Sequence, residues 1–167
     1  ILSAEISPSF EEKRSAYQNA LKRRPHYHFA SHLLSICLRE LGEPRSALNE
    51  MNRTLKTFPR FAAGYNERAL ARMTLGDLSG GEADLTEALR IDPSFPIPHF
   101  NRAILRAARG DIKAALEDYS DAIRLDPEFA EAYYNRGTTR TDRKGAFSDF
   151  SEAIRIDPSY AMAWNNR

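Results

Sequence analysis

Three arginines are each followed by an aspartate at a similar distance along this 167-residue sequence: Arg68 and Asp84, like Arg102 and Asp118, lie 16 residues apart, and Arg136 and Asp149 lie 13 apart. A guanidinium and a carboxylate so spaced cannot meet on one helix, where facing side chains stand three or four positions apart. They can meet across a helical hairpin, as charge-assisted and bidentate pairs that lock orientation more than they add stability. Arg68–Asp84, Arg102–Asp118 and Arg136–Asp149 are therefore expected to be structural ion pairs. A second arginine column, Arg72, Arg106 and Arg140, runs one turn further along. Its expected role is structural or solvent-facing, and the spacing makes no partner evident.

Asparagines accompany the arginines, as Asn101-Arg102, Asn135-Arg136 and Asn166-Arg167, with Glu67-Arg68 in the same columns and Asn66 and Asn165 alongside. An amide both donates to and accepts from a peptide backbone without reading its sequence. The alternative is local bonding to neighbouring helix ends. His28 and His32 stand four apart on a predicted helix, a spacing that could share a metal. No third ligand accompanies them and His26 and His99 are scattered, so packing or surface histidines are expected, with no metal and no cofactor. Cys37 lies between Ile36 and Leu38 and reads as a small buried hydrophobe. There is no phosphate loop and no nucleophile motif, and the acidic residues recur with the repeat. That recurrence marks them as scaffold, so no enzyme activity is expected.

The elements that must position these residues follow from two ladders in phase. Prolines fall at 25, 59, 93 and 127 and glycines at 42, 76 and 110, all at steps of 34. Each proline follows an apolar helical segment and disfavours helix in the residue before it. Each glycine ends the following helix, where a left-handed cap costs least without a side chain. Small residues keep the same step: Ala69, Ala103 and Gly137 in the first helices, Ala47, Gly81, Ala115 and Ala146 opening the second, and Ala88, Ala122 and Ala153 closing it. Large apolar residues fill between them, Met51, Leu85, Tyr119 and Phe150 in one column and Leu55, Leu89, Ile123 and Ile154 in another. Spaced three and four apart with the alanines, they form the buried stripe of each second helix.

A lone hairpin cannot bury its apolar faces, so the copies must stack. The spacing divides 1–167 as a single solenoid: a half-repeat helix at 9–24, opened by a Ser9-x-x-Glu12 capping box, hairpins at 28–61, 62–95 and 96–129, a shortened hairpin at 130–160 and the start of a fifth at 161–167. The shortened hairpin spans 31 residues between Pro127 and Pro158, with three missing near 141–146. Either it is tighter, or the numbering closes over a missing mobile loop. With no Met at position 1 and a last helix cut short, the sequence reads as a fragment of something longer.

Net charge of +1, from 24 Lys and Arg against 23 Asp and Glu, gives no reason to expect nucleic acid or an anionic membrane as partner. No apolar run approaches the length of a membrane span and nothing reads as a signal peptide. A single cysteine excludes an internal disulfide framework and suits a reducing, cytoplasmic location.

These columns resemble the tetratricopeptide repeat. The matching residues are Tyr133, Gly137, Ala146, Phe150, Ala153 and Pro158 in the fourth hairpin and Ala103, Gly110, Ala115, Tyr119, Ala122 and Pro127 in the third. The first hairpin departs, with Ser31 where an aromatic is usual and Thr54 where alanine is. The resemblance implies an all-α, right-handed α-solenoid of antiparallel hairpins whose first helices line a concave groove. It also implies a non-catalytic scaffold binding a protein or peptide ligand. Some superhelical members line that groove with an asparagine ladder, and here Asn101, Asn135 and Asn166 could form one. Groove candidates are then Asn66, Leu70, Met73, Ile97, Phe100, Asn101, Ile104, Tyr134, Asn135, Asn165 and Asn166, an apolar strip flanked by amides. Other members grip acidic chaperone tails with a clamp of Lys, Asn and Arg. His32, Ile36, Glu67 and Phe100 at those positions argue against that ligand. Alternatives are self-association or docking through the solenoid ends, filling of the groove by another segment of the same parent chain, or a targeting arm of a larger enzyme.

Overall fold

A computed structural model of the protein describes residues 9–167, so the first eight residues of the 1–167 assignment lie outside the described residues. Among the described residues it is all-helical, with ten helices in two compact units, one ending at Ile91 and one spanning Asp92–Arg167. The first unit holds α1 (Phe10–Arg23), α2 (His28–Glu40), α3 (Pro44–Thr57), α4 (Ala62–Thr74) and α5 (Leu78–Ile91). The second holds α6 (Pro96–Ala108), α7 (Ile112–Leu125), α8 (Ala130–Thr139), α9 (Arg143–Ile156) and α10 (Ala161–Asn166). None of these helices is long and apolar enough to cross a membrane.

Within each unit, helices adjacent in sequence pack on one another, and α2 also meets α4 and α6 meets α8. Short connections force that arrangement, since a link of three or four residues leaves consecutive helices antiparallel neighbours. Three of the links are built alike. Gly42, Gly76 and Gly110 have φ of 76°, 86° and 85°, conformations that cost a side chain dearly. Beside each, two amides turn back to the helix just ended, as where Gly76 N donates to Met73 O at 3.0 Å and Asp77 N to Arg72 O at 2.9 Å. That double closure satisfies carbonyls which a helix end otherwise leaves bare.

The fourth link differs. α8 has 10 residues where α2, α4 and α6 have 13, whereas α9 keeps the 14 of the other second helices. The three missing residues therefore come out of the last turn of α8. With no left-handed glycine there, Arg140 is extended (φ −68°, ψ 144°) and Asp142 caps α9, accepting from Gly145 N at 2.6 Å.

Small residues sit where helices approach. Ala47, Ala69, Ala88, Ala103, Ala115, Ala122 and Ala153 are wholly buried, and Gly137 is buried under Phe150, whose ring would lie 2.7 Å from an added Cβ. Met51, Leu85, Tyr119 and Phe150 are buried beside them, as are Leu55, Leu89, Ile123 and Ile154. Ala146 is only half-buried. At the start of the first unit, Ser9 caps α1 in the expected box, with Glu12 N donating to Ser9 Oγ at 3.3 Å and Ser9 N to Glu12 Oε2 at 2.6 Å.

Candidate functional site

In three of the four hairpins the polar residues converge on one buried aspartate. In the first unit Arg68 on α4 donates through Nε and Nη2 to Oδ2 and Oδ1 of Asp84 on α5, at 2.9 and 2.6 Å. Arg72, one turn along α4, brings Nη1 to 2.9 Å from Asp84 Oδ2 and donates to Gly80 O at 3.0 Å. In the second unit Arg102 and Arg106 hold Asp118 in the same way, at 2.9, 2.7 and 2.9 Å. Arg136 and Arg140 hold Asp149 at 3.0, 2.6 and 2.7 Å. Each aspartate is 3% exposed. A carboxylate so buried needs its oxygens fully satisfied, and two guanidiniums supply that.

The second arginine column thus has partners that the spacing did not reveal. A signal was present: Arg72 and Arg106 stand 12 residues before the same aspartates, and Arg140 stands 9 before Asp149. The first-column arginines also reach the hairpin before their own within a unit. Arg68 Nη1 donates to Asn52 Oδ1 on α3 at 3.2 Å, and Arg136 Nη1 to Ser120 Oγ on α7 at 3.0 Å. They are stitches between hairpins as well as within them.

Two models of one repeat match this sequence, one described as "Tetratricopeptide repeat" over residues 32–96 and one as "TPR repeat" over residues 105–140. Together they take in well over half of the chain. It belongs to the tetratricopeptide-repeat family. Among solved structures it is similar to TTC0263, a thermophilic TPR protein in Thermus thermophilus, at 19% identity and a TM-score of 0.84, over 93% of this chain and 87% of that one. It is also similar to YrrB, described as a TPR protein with an unusual peptide-binding site, at 19% identity and a TM-score of 0.69, over 93% and 82%. The first TPR of Spaghetti (RPAP3), solved bound to the HSP90 peptide SRMEEVD, matches at 22% identity and a TM-score of 0.60, over 62% and 85%. No curated protein sequence gives a significant match.

In this tetratricopeptide-repeat chain the asparagine column is not an open row of amides. Asn66 and Asn101 are 3% and 8% exposed, far less open than the displayed amides the pattern suggests. Asn66 Nδ2 lies 3.4 Å from Glu67 Oε1. Asn135 Nδ2 donates to Glu131 O of its own helix at 2.9 Å, and Asn166 Nδ2 to Tyr134 Oη on α8 at 3.0 Å. Asn165 is exposed.

The apolar candidates divide by burial. Ile97 and Ile104, seven residues apart on α6, are 43% and 37% exposed. Phe100 between them is half-buried against Tyr119 and Phe129. Leu70 and Met73 on α4 are half-buried, as is Tyr134, whose ring lies 5.8 Å from Phe150 and 5.1 Å from Tyr160.

Glu67 replaces the asparagine in the α4 copy of that column and is 6% exposed. Burial pushes its carboxyl above the ordinary range, only partly countered by Arg39 and Asn66. Arg39 Nε approaches Glu67 Oε2 to 3.6 Å, and neither atom has a hydrogen-bond partner.

The histidines pack. His28 lies 4.6 Å from the Phe58 ring and 4.9 Å from Phe61, and His32 lies 5.8 Å from Phe61. Elsewhere His99, Asp118 and Asp121 bring one ligand atom each within 4.8 Å of one another. Two guanidiniums already sit on Asp118 and repel a cation, so that cluster belongs to the scaffold.

Proposed function

We propose that the chain is a non-catalytic interaction scaffold that holds a peptide or a helix of a partner protein against the first helices of its hairpins. The observation that carries this reading is the exposed pair Ile97 and Ile104 on α6. Seven residues is two helical turns, so both project from one face. Both are already more than half covered, so removing the remainder of each from water on a partner is worth on the order of 1 kcal/mol, a modest anchor for a weak peptide. On α8, Tyr134 and Asn135 extend the surface with a ring and an amide, and on α10 Asn165 and Asn166 add further amides. In the first unit the corresponding face of α4 carries Leu70 and Met73, with Asn66 recessed beside them. The solved peptide-binding relatives support this class of partner.

Panning a random-peptide library on the intact chain tests the reading. Selected peptides should lose about tenfold or more in affinity against the Ile97→Asp/Ile104→Asp variant, with an unchanged melting temperature. Peptides that bind this variant as well as they bind the parent chain would overturn it. A second reading, assembly through the α9–α10 face, rests on Phe147, Met162 and Trp164, which are 49%, 53% and 52% exposed. Light scattering across concentrations separates the two, since a concentration-independent monomer removes self-association.

A further inference from the structure

The near-zero net charge hides a reversal between repeats at one end of the hairpins. At steps of 34 residues, the position before the turn proline is Asp126, Asp92, Phe58 and Arg24, and the shortened hairpin places Asp157 there. Two positions earlier stand Arg124, Arg90, Lys56 and Lys22, with Arg155 in the shortened hairpin. In the later repeats each of these cations is neutralised three residues back, Arg90 by Glu87 at 2.7 Å, Arg124 by Asp121 at 3.0 Å and Arg155 by Glu152 at 2.8 Å. In the first two the neutralising position is Arg53 or Asn19. Residues 13–39 and 51–66 contain no Asp or Glu at all.

The fold gathers these stretches at one end of the first unit. The C-terminus of α1 leads directly into the start of α2, and rings tie that start to the α3–α4 turn: His28 to Phe58 at 4.6 Å, His28 to Phe61 at 4.9 Å and Phe29 to Phe61 at 6.1 Å. Lys22, Arg23, Arg24, Lys56 and Arg60 are exposed here, and among the described residues none of them forms an ion pair. At the α3–α4 turn opens a cleft of 360 Å³ walled by His28, Thr57, Phe58, Pro59 and Phe61, with Arg60 among its lining residues. Tyr27 and Phe29 stand beside it, 45% and 54% exposed. Cations in a last helical turn complement the helix dipole, which accounts for Lys22 and Lys56. It does not account for Arg24 and Arg60, which lie beyond the helix ends, nor for the loss of every neutralising acid.

We propose that this end of the first unit docks an acidic segment of a partner protein, with one large apolar side chain in the cleft and flanking Asp or Glu carboxylates on the five cations. Complementary charge of this kind steers encounter and suppresses wrong partners, while a desolvated apolar anchor supplies affinity. A nucleic acid fits less well. Successive bases need a run of open ring faces to stack on, and the cleft rings His28, Phe58 and Phe61 are packed together, which leaves Tyr27 and Phe29 as the exposed rings.

The test is fluorescence anisotropy on the intact chain with a labelled peptide of Asp and Glu residues around a single Phe. Saturable binding is expected, weakening as salt is raised above about 0.1 M. It should fall about tenfold with Arg24→Glu/Arg60→Glu at an unchanged melting temperature, and measurably when the Phe is replaced by Ala. The Ile97→Asp/Ile104→Asp variant should bind this peptide like the parent chain, which separates this site from the α6 face. No saturable binding, equal binding by the charge-reversed variant, or tighter binding of an oligouridylate or of phosphatidylserine vesicles than of the peptide would each overturn the proposal.

Discussion

Arg102 and Asp118 clasp each other across one hairpin, Nε donating to Oδ2 at 2.9 Å and Nη2 to Oδ1 at 2.7 Å. Arg106 shares the same carboxylate through Oδ2 at 2.9 Å. The cost of breaking the cluster therefore depends on which side is removed. Asp118→Ala strands two guanidiniums and is expected to destabilise by about 3–5 kcal/mol. Arg102→Ala leaves Arg106 on the carboxylate and is expected to cost about 1–3 kcal/mol. Urea unfolding of both variants checks the order, and a larger loss for Arg102→Ala would contradict it.

Two carboxyls contribute pH dependence of opposite sign. Burial pushes Asp118 up, but His99, Arg102 and Arg106 outweigh it and hold the group below its ordinary 3.8. It contributes stability that is fully present above 3.8 and lost as pH falls through the lower folded value. Glu67 is raised above its ordinary 4.5 by burial, so its contribution is fully present below 4.5 and lost as pH rises through the folded value. Glu67→Gln is expected to raise the melting temperature at neutral pH and to flatten the slope just above the ordinary carboxyl range. Asp118→Asn should lower the melting temperature at neutral pH and match the parent chain in strong acid. Melting curves across pH read both.

Gly137 faces the Phe150 ring, and an added Cβ would lie 2.7 Å from Phe150 Cε1. Alanine gains roughly 1 kcal/mol in helix propensity at such a site, but overpacking costs about 1–3 kcal/mol. Gly137→Ala is therefore expected to be neutral to destabilising, and Gly137→Ala/Phe150→Leu should recover stability. A thermal scan in which the single variant is clearly stabilised would show that the ring moves freely.

Cys37 is 3% exposed on α2, and burial pushes its thiol up, so little of it is thiolate at neutral pH. Its reaction with an aromatic disulfide should be slow in the native state and should accelerate with urea as the first unit opens. Labelling as fast as for free cysteine in the absence of urea would mean that α2 is loosely held.

The hairpins, their turns and the pairing of Arg68, Arg102 and Arg136 with Asp84, Asp118 and Asp149 are legible in the sequence because they depend on a repeated offset. A 34-residue period with glycine at 42, 76 and 110 puts the same positions opposite one another in each full-length hairpin. What the period cannot give is how a copy departs from it. Removal of three residues shortens α8 and leaves α9 intact, because the stripe of Phe150, Ala153 and Ile154 on α9 is buried, whereas the last turn of a first helix is replaceable by an extended Arg140 and a capping Asp142.

Burial was likewise decided in three dimensions. Asn101 belongs to a pattern that reads as a row of displayed amides, with Asn66 alongside it, yet both are buried, while Ile97 and Ile104 on the α6 face of Asn101 remain partly in water. Sequence spacing sets the direction in which a side chain leaves its helix; what covers it there depends on the neighbouring helix. The charges follow the same division. Arg24 and Arg60 stand 36 residues apart in a chain of net charge +1, and only the ring contacts of His28 with Phe58 and Phe61 bring the start of α2, which follows Arg24, to the α3–α4 turn that carries Arg60.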